Sequence, residues 1–344
     1  MLEQGLVQVY TAKTGHMNLA HVGLSLRATG QNLRTFVMGF LPHPFVDIED
    51  RALSLLRPHV VVERLPMKST LPEEDLFHRD IEQITKSFER AQEIMSGGAF
   101  DIIILEEINT IVDMGILPVS SMLQLIKNKP ATVELILTGN NANKEIIEQA
   151  DLVTEMAVHK SEQDPWKTTG TDQEGAVWVI TGNGKGKSTY CLGRAMFSAA
   201  SGIPTSVLQF IKSPQPYGEV VAAERLPHLE IQSKGAGFVL ETSQPSKKHR
   251  DAARAAWETS LGEIRSQKYG LIVLDEINVA THLGLVHPDQ VCEMLRSRPK
   301  NLQIILSGRN AHPEVMEHAT TVFEMKEIKH PFHKGIKARR GIEY

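Results

Sequence analysis

The sequence predicts an α/β protein made of two tandem copies of one domain, each a mostly parallel sheet flanked by helices. Three observations lead to this prediction: an internal repeat, an alternation of short apolar runs with helical patterns, and one glycine-rich loop. The chain has 344 residues, which is long enough for two domains of ordinary size with a core each.

The internal repeat runs through the chain at a nearly constant offset. The segment LEEIN at 105–109 reappears 169 positions later as LDEIN at 274–278. At the same offset ILTGNNA at 136–142 matches ILSGRNA at 305–311, and near the start of each copy the offset is 170. An offset sustained over this distance indicates a tandem duplication.

Short apolar runs rich in β-branched residues predict the strands of the second copy, and they fit strands buried on both faces. The predicted strands are Val177–Thr181, Thr205–Ile211, Leu229–Gln232, Leu271–Asp275, Leu302–Ser307 and Thr320–Glu324. Helical patterns follow the glycine-rich loop, cover Ala252–Ile264, and begin near Pro288 and Pro313. This alternation predicts a ligand site at the carboxyl ends of parallel strands.

A polar stretch without hydrophobic periodicity separates the two copies. It contains Pro165 and Gly170, and we expect it to be a linker at 161–174. The predicted domains are therefore 1–160 and 175–344.

The glycine-rich loop of the second copy has the composition of a phosphate-binding loop. It reads TGNGKGKST over 181–189, between an apolar strand and a predicted helix. Glycines let backbone N–H groups face an anion, and the helix N-terminus adds partial positive charge. The loop departs from the usual G-x-x-x-x-G-K-[ST] pattern because Thr181 stands at the first glycine position. We predict a phosphate loop of unusual length, with Lys187 on the phosphates and Ser188 on Mg²⁺; an ordinary surface turn is the alternative.

The first copy has lost the residues of this loop. Its aligned segment at 12–18 reads AKTGHMN, without the glycine pattern, the phosphate lysine or the hydroxyl. We therefore expect the first copy not to bind a nucleotide in this manner, and a residual site that uses Lys13 is the alternative.

Other polar residues follow the strands of the second copy. Asp275 and Glu276 close an apolar strand, where P-loop proteins carry the acid that positions Mg²⁺. Arg309 follows the next strand and aligns with Asn140, which agrees with loss of an anionic ligand from the first copy. An ordinary surface arginine is the alternative at 309.

Two further segments are expected near the same edge. The polar residues of 209–212 (QFIK) and 218–219 (GE) follow the second strand, whereas the counterpart GFLP at 39–42 is apolar. The loop GAGFVLET at 235–242 is interpreted either as a loop folded back on its own core or as an apolar lid over a large flat ligand.

Composition excludes several classes of protein. A net charge of −4 gives no argument for nucleic-acid or membrane binding, and apolar residues interrupt the basic ending at 329–344. The two cysteines, Cys191 and Cys292, do not suit a disulfide framework and fit a reducing cytoplasm. The N-terminus lacks the pattern of a signal peptide, and no apolar run approaches the ~20 residues of a membrane span. We find neither zinc-ligand spacing nor a Ser/His/Asp arrangement.

Together these motifs resemble the bacterial P-loop ATP:cob(I)alamin (corrinoid) adenosyltransferases, and they run in family order through nearly the whole second copy. The matching motifs are TGNGKGKS at 181–188, QFIK at 209–212, LDEIN at 274–278, SGR at 307–309 and the ending KHPF…GIEY at 329–344. The first copy resembles the same family over 5–156, without the nucleotide motifs.

The resemblance implies two tandem P-loop NTPase (RecA-like) domains and transfer of the 5′-deoxyadenosyl group of ATP to Co(I). The acceptor is cob(I)alamin or a precursor such as cob(I)yrinic acid a,c-diamide, and triphosphate is released, in coenzyme B12 biosynthesis or salvage. The implied metal is Mg²⁺, with Mn²⁺ as an alternative. The resemblance also implies an electron donor such as flavodoxin or another flavin reductant.

Site residues carried over from the family fall into four groups. The implied catalytic residues are Lys187, Ser188 and Glu276. The implied metal ligands are Ser188, Asp275 and Glu276, and the implied corrinoid contacts are Phe238 and Leu240. The implied ATP-binding residues are Gly182, Asn183, Gly184, Lys185, Gly186, Lys187, Ser188, Thr189 and Arg309.

The sequence departs from the family pattern at two positions. Leu240 stands where the family usually has a tryptophan that helps to displace the lower ligand of cobalt. Phe197 stands where an arginine is usual, while the first copy has Arg27 at the aligned position. This exchange suggests that the copies pair as an intramolecular pseudo-dimer, with further oligomerisation left open.

Two other functions compete with the adenosyltransferase. A non-catalytic ATP-dependent corrinoid sensor or delivery protein would bind both ligands without releasing triphosphate. A generic P-loop ATPase or kinase would release ADP.

Overall fold

The computed structural model of the chain describes residues 2–13, 18–65, 78–161, 175–237 and 244–344. The first half contains β1 Val7–Ala12, α1 Ala20–Gly30, β2 Thr35–Gly39, α2 Val46–Ser54, β3 Val60–Arg64, α3 His78–Ser96, β4 Ile102–Glu106, α4 Ile108–Asp113, α5 Val119–Asn128, β5 Glu134–Thr138, α6 Lys144–Gln149 and β6 Leu152–Ser161. The second half contains β7 Val177–Thr181, α7 Lys187–Ala200, β8 Thr205–Gln209, α8 Gly218–Ala223, β9 Leu229–Ser233, α9 Lys247–Ser266, β10 Leu271–Asp275, α10 Ile277–His282, α11 Pro288–Ser297, β11 Gln303–Ser307, α12 Pro313–Glu317 and β12 Thr321–Lys329, before a 3₁₀ turn at Pro331–Lys334.

The strands of both halves form one continuous sheet of 12 strands. Their order is β3-β2-β4-β5-β1-β6-β12-β7-β11-β10-β8-β9, so the second half repeats the order of the first from the centre outwards. Strands are parallel within each half, as predicted, whereas the central pair β6 and β12 is antiparallel. The sequence predicts a sheet for each copy; the structure differs in that the two sheets share a long central ladder.

This central ladder places a pseudo-two-fold axis between the halves. Met156 of β6 pairs with Met325 of β12, and these two residues are equivalent under the repeat offset. Equivalent residues that face each other on antiparallel strands are the mark of an isologous interface, which two copies of one surface form. The duplicated chain therefore has the internal arrangement of a symmetric dimer.

Helices α1 and α7 cross at the same axis, and two equivalent glycines allow their close approach. A Cβ at Gly23 would lie 1.8 Å from the Thr189 carbonyl oxygen, and one at Gly193 would lie 2.2 Å from that of Leu19. Apolar residues of both helices belong to one shared hydrophobic cluster. Because alternate strand residues point to opposite faces of a sheet, each half has its own second cluster on the other face.

The predicted strands of the second half are confirmed, with small differences at their ends. β8 ends at Gln209, two residues early, and β12 continues to Lys329 because its outer part pairs with β6. The short helices α8 and α10 were not predicted, since six residues are too few to show a helical period. The predicted linker at 161–174 lies outside the described residues, except for Ser161 at the end of β6.

Candidate functional site

The predicted phosphate loop connects β7 to α7 in a conformation that depends on glycine. Gly182 and Gly186 have φ of 95° and 105°, in the left-handed region where a Cβ is disfavoured. The Gly184 N–H donates to the Met325 carbonyl oxygen at 2.7 Å, which ties the loop to β12. A Cβ at Gly186 would lie 2.8 Å from the ring of Tyr10, a residue of the first half. The loop is therefore held from both sides of the pseudo-axis.

Lys187 begins α7 and turns its side chain into the loop. It is only 6% exposed, and its Nζ donates to the Gly184 carbonyl oxygen at 2.7 Å. Burial lowers the pKa of Lys187 to about 8, against the opposing effect of the nearby Glu276 carboxylate. A desolvated ammonium group in a glycine loop is suited to an anion such as a phosphate group.

The two acids after β10 take different roles in the site. Asp275 is buried, and Ser307 Oγ donates to its Oδ1 at 2.6 Å. Glu276 has a φ of 64°, and its N–H donates to the same Ser307 hydroxyl at 3.0 Å. Burial raises the pKa of the Glu276 carboxyl to about 7, and the neighbouring Asp275 adds to this rise. The segment after β11 links these acids to the loop, because Ser307 contacts both acids and Arg309 Nη2 lies 3.5 Å from the Asn183 carbonyl oxygen.

The donor set fits a hard divalent cation. Ser188 is a partly exposed hydroxyl residue in the first turn of α7, and Asp275 and Glu276 contribute carboxylate oxygens. In the part of the chain that the structure describes, no hydrogen bond to the Glu276 carboxylate is present. Oxygen ligands of this kind suit Mg²⁺, and Ser188, Asp275 and Glu276 stay the predicted metal ligands.

The remaining predicted ATP-binding residues surround the loop. Arg309 Nη2 lies 3.5 Å from the Asn183 carbonyl oxygen, and Thr189 Oγ1 donates to the Gly186 carbonyl oxygen at 3.0 Å. Lys185 turns away from this group, and its Nζ contacts Glu343 Oε1 at 2.9 Å. Phe238 and Leu240, predicted to contact the corrinoid, lie outside the described residues.

The polar residues after β8 form a chain that leads to Asp275. Gln209 Nε2 donates to Glu219 Oε1 at 3.1 Å and to Asp275 Oδ2 at 3.4 Å. Lys212 forms an ion pair with the same Glu219. The structure thus brings together the residues that the sequence placed at this edge.

One member of this chain of contacts comes from the first half. Arg27, on α1, donates through Nε to Glu219 Oε2 at 2.9 Å and through Nη1 to the Ile342 carbonyl oxygen at 2.8 Å. The sequence shows the exchange of Arg27 with Phe197 but does not show that Glu219 is the partner of Arg27. The different residues at positions 27 and 197 are the one sequence feature that indicates a contact between the halves here.

The basic ending contacts the first half through several of its cations. Arg339 donates to both oxygens of the buried Glu134, at 2.6 and 2.9 Å. Lys329 Nζ donates to three backbone carbonyls at the end of α6. Glu343 contacts both Arg339 and Lys185, so this segment joins the first half to the phosphate loop.

The equivalent position of the first half is filled by its own side chains. Glu49 and Glu106 correspond to Glu219 and Asp275 under the repeat offset. His21 Nε2 lies 2.6 Å from Glu49 Oε1, and Arg64 Nη1 lies 2.5 Å from Glu106 Oε2. His43 contacts both carboxylates, at 2.7 and 3.2 Å.

The sequence does not predict this cluster of charged side chains, but one substitution between the halves is consistent with it. Gly39 replaces the equivalent Gln209, and a Cβ at Gly39 would lie 2.5 Å from Arg64 Nη1. His21, Glu49 and Glu106 each place one ligand atom within 4.8 Å of the others, as a metal site would. Arg64 contacts both carboxylates, and His21 and His43 are further partners of the same acids, so we interpret the group as an ion cluster.

Comparison with known proteins gives matches in both halves. The model of the family ATP:corrinoid adenosyltransferase BtuR/CobO/CobP matches residues 3–168 and again 173–344. An uncharacterized protein of Nostoc sp. (strain PCC 7120), all2391, is 28% identical over 344 residues, which cover 95% of this chain and 89% of that protein.

Proteins named corrinoid adenosyltransferase match a shorter part of the chain. That of Sinorhizobium sp is 37% identical over 196 residues, 55% of this chain and 89% of the relative. That of Escherichia coli (strain K12) is 33% identical over 186 residues, 54% of this chain and 93% of the relative. Each is thus matched almost end to end by about half of this chain.

Proposed function

This chain belongs to the ATP:corrinoid adenosyltransferase family in both of its halves, and from that premise we propose that its second half transfers the 5′-deoxyadenosyl group of ATP to a reduced corrinoid. The observation that carries this proposal is the second-half site, where the buried Lys187 turns into a glycine loop that the segment 307–309 connects to Asp275 and Glu276. The proposed acceptor is Co(I) of cobalamin or of a precursor such as cobyrinic acid a,c-diamide, in coenzyme B12 biosynthesis or salvage.

The proposed reaction balances without a nucleophile from the protein. Co(I) supplies both electrons of the new Co–C5′ bond and becomes Co(III). The C5′–O bond of ATP breaks, and triphosphate leaves with the bonding electrons. The protein must hold C5′ in line with cobalt, neutralise the leaving triphosphate and exclude water.

Residues of the second half meet these needs in separate ways. The N–H groups of 182–187 and the Lys187 ammonium group bind the phosphates. Arg309 adds a fixed cation beside the loop. Ser188, Asp275 and Glu276 would hold Mg²⁺, which supplies further positive charge to the triphosphate when it is bound. Phe238 and Leu240 remain the predicted corrinoid contacts.

The first half is proposed to have no nucleotide site of this kind. Its ion cluster fills the position of the second-half edge residues, and its aligned loop lacks the phosphate lysine. We therefore propose one active site per chain.

The setting of the reaction follows from its substrates. Reduction of cobalt requires an external electron donor, for which a flavin protein such as flavodoxin is our expectation. ATP and the two unpaired cysteines suit the cytoplasm. Among the described residues, no helix is both long and apolar enough to cross a membrane.

An anaerobic assay with ATP, Mg²⁺ and chemically reduced cob(I)alamin tests the proposal. The Co–C bond is followed optically and triphosphate by chromatography. We expect Lys187→Ala to lower the rate at least about 100-fold, because it removes a preorganised charge from the leaving group. Lys13→Ala is the matched control in the first half and should keep the wild-type rate.

Three outcomes separate the candidate functions. Adenosylated corrinoid together with triphosphate supports the transferase. Tight binding of ATP and corrinoid without product would replace it with the sensor or delivery protein. Release of ADP would indicate a generic ATPase or kinase.

A further inference from the structure

Equivalent positions of the two halves carry different residues at one place in the pseudo-dimer. Position 27 on α1 is arginine and position 197 on α7 is phenylalanine. Arg27 contacts Glu219 of the opposite half, and the equivalent acid of the first half, Glu49, is retained. Within the described residues, the contact of Arg27 with Glu219 therefore has no equivalent ion pair between position 197 and Glu49.

The contact is buried and has two arms. Arg27 is 4% exposed, and Glu219 is fully buried. The Nε arm ends on Glu219 at 2.9 Å and the Nη1 arm on the Ile342 carbonyl oxygen at 2.8 Å. A planar guanidinium group serves two acceptors in fixed directions, which an ammonium group does not.

The first arm controls the residues after β8. Arg27 and Lys212 together hold the pKa of Glu219 well below its ordinary range, despite the burial of this carboxyl. Gln209 donates hydrogen bonds to both Glu219 and Asp275. A shift of Glu219 would therefore also shift Asp275, a predicted metal ligand. Without Arg27, Lys212 would be the remaining cation paired with Glu219.

The second arm controls the terminal segment. Ile342 is buried, and the next residue, Glu343, contacts Lys185 of the phosphate loop at 2.9 Å. By binding the Ile342 carbonyl oxygen, Arg27 holds the terminal backbone in place, and with it Glu343, the partner of Lys185.

From these contacts we infer that Arg27 is a positioning residue for the second-half site, supplied by the half that has lost its own site. It acts through Glu219 and Ile342 and does not touch the reacting atoms. The inference rests on the proposed function for the identity of the ligand, ATP. It gives the first half a role beyond covering apolar surface, because the working site is complete only across the pseudo-axis.

Three variants test this role: Arg27→Gln, Arg27→Lys and the double variant Arg27→Gln with Glu219→Gln. The readouts are the Kd for Mg-ATP by calorimetry, the KM for ATP in adenosyl transfer, and the thermal midpoint. We expect Arg27→Gln to raise both constants by about tenfold or more and to lower the midpoint, because a buried carboxylate loses its partner. Arg27→Lys should fall between this variant and wild type, since it reaches one acceptor at a time.

The double variant separates positioning from stability. It removes the carboxylate charge that Arg27 no longer helps to balance, so the midpoint should recover while the Kd for ATP stays raised. Recovery of both together would overturn the inference, and so would a folded Arg27→Gln with wild-type Kd. Arg34→Gln is the matched control, because Arg34 is an exposed first-half arginine that lies over the Phe100 ring.

Failure of the proposed function is recognised separately. A wild-type chain that binds ATP but forms no Co–C bond would contradict the transferase. The Kd values would still decide the inference about Arg27.

Discussion

Glu49 and Glu219 occupy equivalent positions, and both are fully buried, yet their positive partners come from different places. Glu219 pairs with Arg27 of the opposite half in addition to Lys212 of its own, whereas Glu49 contacts His21 and His43 of its own half. A buried carboxylate needs partners of this kind because desolvation is costly. Because position 197 is a phenylalanine, it cannot form an ion pair with Glu49, and cations of the first half do so instead.

The histidines of this cluster make stability depend on pH. His21 Nδ1 lies 2.9 Å from the Asn18 carbonyl oxygen and its Nε2 lies 2.6 Å from Glu49, so both ring nitrogens face acceptors. Burial alone would lower the pKa of His21, but Glu49 and Glu106 outweigh burial and Arg64, and the pKa is raised. The folded state therefore binds this proton more tightly than the unfolded state does.

We predict the sign from this difference. The stabilising contribution is fully present below the unfolded pKa of about 6.5 and is lost as pH rises through the raised folded pKa. In urea unfolding, the stability difference between wild type and His21→Gln should therefore fall with rising pH above neutrality. The slope of stability against pH should be less negative in His21→Gln and unchanged in His282→Gln, an exposed control at the end of α10. Equal slopes in wild type and His21→Gln would contradict the ion cluster.

Among single residues, the sequence predicts those that belong to a short consecutive motif. The loop from Gly182 to Ser188 is recognisable because its glycines, lysine and hydroxyl are consecutive. The contact between Arg27 and Glu219 spans 192 positions and depends on how the halves pack. No short pattern encodes such a contact, which is why only the exchange with Phe197 was visible.

Among the elements, the crossing of α1 and α7 has the strictest steric requirement. The equivalent glycines at this crossing leave no room for a Cβ, because backbone atoms lie within 1.8–2.2 Å of its position. Buried strands were predictable from apolar runs, but the antiparallel pairing of β6 with β12 was not. Pairing between distant edges depends on the assembled surfaces and leaves no period in the sequence.

Gly23→Ala tests the helix crossing against a matched helical glycine. The added methyl group meets the Thr189 backbone, so we expect a loss of about 1–3 kcal/mol in the free energy of unfolding. Gly262→Ala, in α9, meets no atom within 4 Å and should stabilise by about 0.5–1 kcal/mol through helix propensity. Urea unfolding measures both, and a neutral Gly23→Ala would argue against close packing of α1 on α7.

At the scale of the whole molecule, the duplication encloses an isologous interface within one chain. Covalent linkage makes the pairing of halves intramolecular and independent of protein concentration. It also frees the halves to diverge, because each sequence now occupies only one side of the axis. The second half keeps the phosphate loop, and the first half keeps Arg27, Tyr10 and Thr154, which contact the site or its loop.

The central claim is a single nucleotide site per chain, formed in the second half and completed by the first. Calorimetric titration of the full chain with Mg-ATP tests it most directly, with Lys187→Ala and Lys13→Ala titrated in parallel. We predict about one equivalent of ATP per chain for wild type and Lys13→Ala, and binding too weak to titrate for Lys187→Ala. Two equivalents for wild type, or one that survives in Lys187→Ala, would contradict the claim.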